Sequence, residues 1–131
     1  MYHIKFTQNW NGKLLNEWHT TIRPDKGIIQ LGHEYVEELK DTPISTVRVE
    51  SIAAYTLHAL PETLCLLDTG YSKAETIAIL SKMHRDWIAE YGQNARYIIC
   101  LLHVISRERG TFELLLRDAM KRYDKLLAIP A

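Results

Sequence analysis

The sequence predicts an α+β domain. Segments with two-residue alternation fill the first half, helical periodicity takes over after Leu60, and one long apolar, β-branched run separates the later helical stretches. Strands first, then two helices, a strand and a helix is not the alternating order of a doubly wound sheet. At 131 residues the chain has the length of one domain with its own core, and its 47% hydrophobic and 24% charged composition is globular rather than disordered.

Tyr2, Ile4 and Phe6 alternate with His3, Lys5 and Thr7, a half-buried strand. Asn9-Trp10-Asn11-Gly12 has turn chemistry, and Lys13 to Trp18 reads as a short helical turn or a loop with an aromatic anchor. His19 to Arg23 has strand propensity and ends at Pro24, which lacks a backbone donor. Pro24 to Gly27 forms the next turn, His33 to Lys40 a strand, and Asp41-Thr42-Pro43 another turn. Ile44 to Tyr55, rich in β-branched residues, is a further strand.

Pro61 suits the first position of a short helix carrying Leu64, Cys65 and Leu67 and stopping before Gly70. Ser72 with Glu75 three residues on forms a capping box. Ile77, Leu80, His84, Trp87, Ile88 and Tyr91 then follow at helical spacing, and Gly92 ends that helix. The run Tyr97 to Ile105 predicts a strand buried on both faces. After Gly110, Phe112, Leu115, Leu116, Ala119, Tyr123, Leu126 and Leu127 make one apolar stripe of a last helix. Arg117, Lys121 and Lys125 lie on another face.

No apolar run approaches the roughly 20 residues that cross a bilayer, and Met1 to Gln8 lacks the apolar core of a signal peptide. Cys65 and Cys100 both sit in apolar runs, as buried free thiols of a reducing compartment do; the expectation is the cytoplasm, with no membrane partner. Sixteen basic and sixteen acidic side chains balance, which counts against generic nucleic-acid binding. Residues 94–131 are locally basic, with seven Lys/Arg against four Asp/Glu.

Most catalytic patterns are absent. The six histidines form no HExxH and no close His/Cys pair, so His84 and His103 read as core or boundary residues and no metal is expected. Neither thiol has an electropositive setting, and Asn11-Gly12-Lys13 is not a phosphate loop. No cofactor is expected. Two pieces remain. Thr21 and Arg23 point to one strand face, where Arg offers a planar fork and Lys13 a movable charge to a phosphate or carboxylate; an edge strand with a solvated face is the plainer reading. Asp68 stands beside Gly70, just before a helix N-terminus, where a carboxylate serves as a cap or as a functional acid facing Lys13 and Arg23.

Taken together, Gly12, Lys13, Thr21 and Arg23, the strand marked by Gly32 and Tyr35 to Lys40, and the turn Asp68, Gly70, Tyr71, Ser72 resemble the ASCH domain family, relatives of the PUA RNA-binding domains. The likeness spans roughly residues 2–105, within a single domain of residues 1–131 whose segment 111–131 reads as a C-terminal helical addition. Seven residues separate Lys13 from Thr21, a wider spacing than the family's G-x-K-x-x-[ET]-x-R. The resemblance implies a small PUA-like β-barrel of mixed strands with helices packed outside, and a cleft for RNA, a nucleotide or a modified nucleoside.

Three functions follow as expectations. An RNA- or nucleotide-binding module would use Gly12, Arg23, Gly70 and Tyr71, with Trp18 or Tyr71 stacking on a base. An amidohydrolase acting on an acylated nucleoside such as N4-acetylcytidine would use Lys13 as nucleophile or base, Thr21 to hold the acyl oxygen and Asp68 to move the proton. A non-catalytic protein-interaction domain would dock through the terminal helix. Oligomeric state is not legible.

Overall fold

The computed structural model describes residues 2–127, with side chains to residue 121. Five strands form one mixed sheet: β1 (His3–Phe6), β2 (Trp18–Pro24), β3 (Glu34–Leu39), β4 (Thr42–Thr56) and β5 (Arg96–Arg107). Their order is β1-β3-β4-β5-β2, with β1 parallel to β3 and the other pairs antiparallel. The sheet curls into a half-barrel with helices packed outside, the α+β PUA-like architecture that the sequence predicts. Register shifts within β4, between Thr46 and Val47 and between Val49 and Ser51, supply local bending.

Between β4 and β5 the chain passes through α1 (Glu62–Thr69), α2 (Lys73–Met83) and α3 (Arg85–Tyr91); α4 (Thr111–Leu127) closes it. The long apolar run in β5 is explained by two cores. Ile98, Cys100 and Leu102 face a cluster with Ile4, Phe6, Leu14, Val47 and Leu115, while Tyr97 and Ile99 face one with Ile22, Leu57, Leu60, Cys65 and Leu80. Burial on both faces requires apolar residues at odd and even positions alike.

Several local expectations are corrected. Lys40 and Asp41, at φ 49 and 67, make the β3–β4 turn, so Thr42 and Pro43 already belong to β4. A type I′ two-residue hairpin loop needs positive φ at both central positions, and its twist matches that of the flanking strands. The stretch from Ser72 to Gly92 is not one helix; it breaks at His84 (φ −122, ψ 50), whose ring turns onto the Tyr97 hydroxyl of β5 at 3.2 Å. Pro61 occupies the N-cap of α1 rather than its first turn, and Leu67 is exposed. The last part of β5 emerges from the core: His103 is partly exposed, stacked on Trp18 with ring centroids 4.1 Å apart. On α4, Leu115 and Ala119 are buried but Phe112 and Leu116 are exposed. Tyr123, Lys125, Leu126 and Leu127 carry side chains outside the described residues. With Leu115 in the main core, the helix packs against the segment Trp10–Leu15 as part of the domain.

Cys65 and Cys100 are buried free thiols. No helix among the described residues is long and apolar enough to cross a membrane.

Candidate functional site

The segment Trp10–Leu15 is a 3-10 turn interrupted by left-handed residues, Asn11 at φ 56 and Gly12 at φ 65. Glycine adopts that backbone without steric cost, and the reversal turns Lys13 inward beneath the rim of the half-barrel. Lys13 is 5% exposed, and its Nζ donates to Asp68 Oδ1 at 2.8 Å. Asp68 lies in the last turn of α1, itself 3% exposed, so it faces Lys13 and leaves the capping of α2 to Ser72. Ser72 Oγ accepts from Glu75 N at 3.2 Å and donates to the Glu75 carboxylate at 2.9 Å. The hydroxyl of Thr20 donates to the same Asp68 oxygen at 2.7 Å. A buried carboxylate that accepts an ammonium and a hydroxyl is well satisfied.

Next along β2, Thr21 is buried and accepts a hydrogen bond from Arg23 Nε at 2.9 Å. Because Thr21 Oγ1 is the acceptor there, its own O–H is left to donate into the cleft. Arg23 also donates from Nη2 to the Lys5 carbonyl at 2.6 Å. Phe6 lies under both cations, with Lys13 Nζ 5.3 Å and Arg23 Cζ 4.8 Å from its ring centroid. Lys13, Thr21, Arg23 and Asp68 thus line one cleft, together with Phe6, Trp10, Leu80, Met83 and His84. Its cavity volume is about 70 Å³, room for a small reacting group at the end of a larger ligand rather than for a whole ligand.

Burial holds the Lys13 ammonium below the usual lysine pKa, and the neighbouring Asp68 carboxylate offsets part of that effect. Burial likewise lowers Arg23, which stays charged because a guanidinium starts so high. His84 is held below the ordinary histidine value by burial and then by Arg23 and Lys26. Cys100 is pushed up to about 12 by burial, and a thiol so placed is inert.

The other residues singled out from sequence have different places. Gly12 and Gly70 shape backbone: Gly70, at φ 79, ends α1 in the left-handed conformation, and a Cβ there would meet Asn11 Oδ1 at 3.2 Å. Tyr71 stands outside the cleft, edge-on to Trp10 with centroids 6.2 Å apart, in an adjoining groove with Lys40, Asp118 and Lys121. Trp18 does not line the cleft; its stacking partner is His103. Sequence reasoning missed Thr20, Phe6 and His84. Thr20 sits beside Thr21, and strand alternation selects only one of the two, whereas Asp68 reaches the other. The contribution of His84 depends on the helix break, which no residue in the run announces.

The half-barrel sheet with helices packed outside is an ASCH-like fold. Comparison with solved structures supports that fold. A protein of Enterococcus faecalis V583 described by the family model DUF984 superposes with a TM-score of 0.63 at 9% identity, over 79% of this chain and 71% of that one. An ASCH domain from Lactobacillus crispatus JV V101 superposes with a TM-score of 0.53 at 14% identity, over 73% of this chain and 69% of that one. At such identities the likeness is one of fold. No protein-family model and no curated protein matches the sequence.

Proposed function

We propose that the cleft binds a nucleoside or nucleotide and hydrolyses an acyl amide on its base. The observation that carries this reading is the buried contact of Lys13 with Asp68, in the same cleft as the Thr21 hydroxyl. A lysine whose pKa is lowered by desolvation gives up its proton more readily than a free lysine and can serve as a general base. In its neutral form Lys13 takes a proton from a water whose oxygen attacks the acyl carbon. The Thr21 hydroxyl donates to the carbonyl oxygen as it becomes an oxyanion. When the tetrahedral species collapses, the C–N bond breaks and Lys13 returns the proton to the leaving amine nitrogen, Asp68 holding the ammonium meanwhile. The products are a carboxylic acid and the free amine. Phe6, Leu80 and Met83 give the cleft apolar walls suited to a planar base.

Incubation of the purified protein with N4-acetylcytidine, followed by chromatography for cytidine, tests the proposal. Turnover that disappears in Lys13→Ala and Thr21→Val, with both variants folded, is the expected outcome. Absence of turnover in the wild type, or full turnover in Lys13→Ala, removes it.

A second reading, an RNA-binding module without catalysis, is favoured by the open groove beside the cleft, where Trp10 and Tyr71 offer aromatic faces and Lys40 and Lys121 offer charge. Titration with short single-stranded RNAs at low and high salt tests it. Salt-sensitive binding that weakens in Arg23→Ala and Tyr71→Ala supports it, and no binding at low salt removes it.

A further inference from the structure

The cleft does not end at Arg23. Arg23 and His84 also line a second depression, shared with Tyr2, Pro24, Lys26 and Ile29. Three nitrogen-bearing side chains, Arg23, Lys26 and His84, therefore converge on one space, and no carboxylate lines it among the described residues. The nearest acid in sequence, Asp25, is paired with Arg96 at 3.4 Å. Both described hydrogen bonds of the Arg23 guanidinium go to neutral oxygens, the Thr21 hydroxyl and the Lys5 carbonyl, and occupy two of its five N–H groups. Lys26 is exposed, with its ammonium 5.6 Å from the Trp87 ring centroid.

The helix break adds a second, independent observation. A continuous helix through residue 84 would satisfy the sequence periodicity, yet the backbone leaves helical geometry there and the ring lodges between Tyr97 and the two cations. Nδ1 meets the Tyr97 hydroxyl, and Nε2 has no partner among the described residues. Departures from local sequence preference concentrate at functional sites. Like charges gathered around a histidine also repel one another in the empty site, a cost that a bound anion reverses.

We propose that this annex is an anion subsite that holds a phosphate monoester carried by the ligand whose reacting end enters the cleft. The ligand is then a nucleoside phosphate, its base between Phe6, Leu80 and Met83 and its phosphate between Arg23, Lys26 and His84. Two permanently charged cations match a dianion better than the single charge of a carboxylate. Arg23 contributes a planar fork, Lys26 a mobile charge and His84 an N–H donor. The proposal rests on the nucleoside reading of the cleft and narrows its substrate class.

Cytidine 5′-monophosphate, cytidine and inorganic phosphate are titrated separately into the wild type, Lys26→Gln and His84→Gln, with binding read by calorimetry and by the imidazole NMR signals of His84. The monophosphate is expected to bind on the order of tenfold or more tightly than cytidine, as charge-assisted hydrogen bonds predict. That advantage should vanish in Lys26→Gln and shrink at high salt. Hydrolysis of N4-acetylcytidine, which has no phosphate, should be unchanged in Lys26→Gln. Three results overturn the annex: equal binding or no binding of the two nucleoside ligands, an advantage that survives in Lys26→Gln, or inorganic phosphate binding as tightly as the monophosphate. The hydrolase reading fails separately, by absent turnover of N4-acetylcytidine and its 5′-monophosphate while the phosphate-dependent advantage persists.

Discussion

Replacing Asp68 by asparagine isolates the electrostatics of the cleft, because the amide keeps the shape and a carbonyl acceptor for Lys13 and Thr20 but removes the charge. Both partners of the pair have side chains only 5% exposed. Leaving a buried cation without its counter-charge typically costs about 3–5 kcal/mol. Lys13 has an escape, which is to give up its proton. For a lysine of ordinary pKa that costs about 4.6 kcal/mol at pH 7 and about 1.9 kcal/mol at pH 9. The smaller penalty governs, so the variant should lose about 3–4.6 kcal/mol at pH 7 and no more than about 2 kcal/mol at pH 9.

The sign follows from linkage. Burial already lowers the folded pKa of Lys13, and loss of Asp68 lowers it further. Between the folded and unfolded values the unfolded chain binds more protons, so stability rises with pH, more steeply in the variant than in the wild type. Urea denaturation at the two pH values checks this, with Lys13→Met and the double variant completing a cycle. The double variant should regain much of the loss, since no buried charge remains. A cost that is the same at pH 7 and pH 9, or one below about 1 kcal/mol at pH 7, would refute the buried ion pair.

Amide hydrolysis that uses neutral Lys13 as base should rise with pH and level off at a midpoint below the ordinary lysine value, because burial lowers that group; Asp68→Asn should move the midpoint lower still, and a flat rate profile contradicts the role. With its pKa pushed up to about 12, Cys100 should resist an aromatic disulfide reagent at pH 8 and react only as the domain unfolds; rapid labelling of the folded protein argues otherwise. Leu115→Ala should cost about 2–4 kcal/mol of unfolding free energy, because Leu115 is fully buried in the main core. An unchanged denaturation midpoint would restore α4 to the status of an appendage.

Much of the fold is legible because strand alternation and helix boundaries are local. Ile4 and Phe6 are buried where their alternation puts them, Gly70 takes the left-handed C-cap, and Ser72 caps α2. What was not legible depends on contacts between distant segments. The interruption at His84 answers to Tyr97 on another element. Exposure of Phe112 and Leu116 follows from how narrow a strip of α4 meets the barrel, which helical spacing alone does not determine. At the site, alternation put Thr21 and Arg23 on one face, and their hydrogen bond shows them there. The same rule set Thr20 aside, because it describes a flat strand and takes no account of a helix approaching from the other side. The helix stop before Gly70 falls where the sequence puts it, so Asp68, also part of the acidic turn motif, lies in the last turn of α1, and this turn aims the carboxylate inward.

The wide interval between Lys13 and Thr21 shows how the site tolerates a change of spacing. A longer loop has more conformations to lose, at about 1–2 kcal/mol of backbone entropy per ordered residue, so Lys13 reaches Asp68 only if the loop is held. Three groups hold it. At the near end, Asn9 Oδ1 accepts from Leu14 N at 2.9 Å while Asn9 Nδ2 donates to Asp118 of α4 at 3.2 Å. At the far end, the Arg107 guanidinium donates to the carbonyls of Leu14, Leu15 and Asn16 at 3.0, 2.9 and 3.2 Å. His19 then fixes Asn16 from inside. A carbonyl only accepts, so His19 Nδ1 carries a hydrogen and donates to the Asn16 oxygen at 3.0 Å. Its Nε2 meets the fully buried Glu37 at 2.6 Å. Leu14, buried in the main core, supplies the apolar anchor between these polar ties. The restraint on Lys13 therefore comes from β2, β3, β5 and α4 as well as from Asn9 and Leu14 beside it. A short motif around the lysine cannot display it, and the terminal helix contributes to the cleft through Asp118 without entering it.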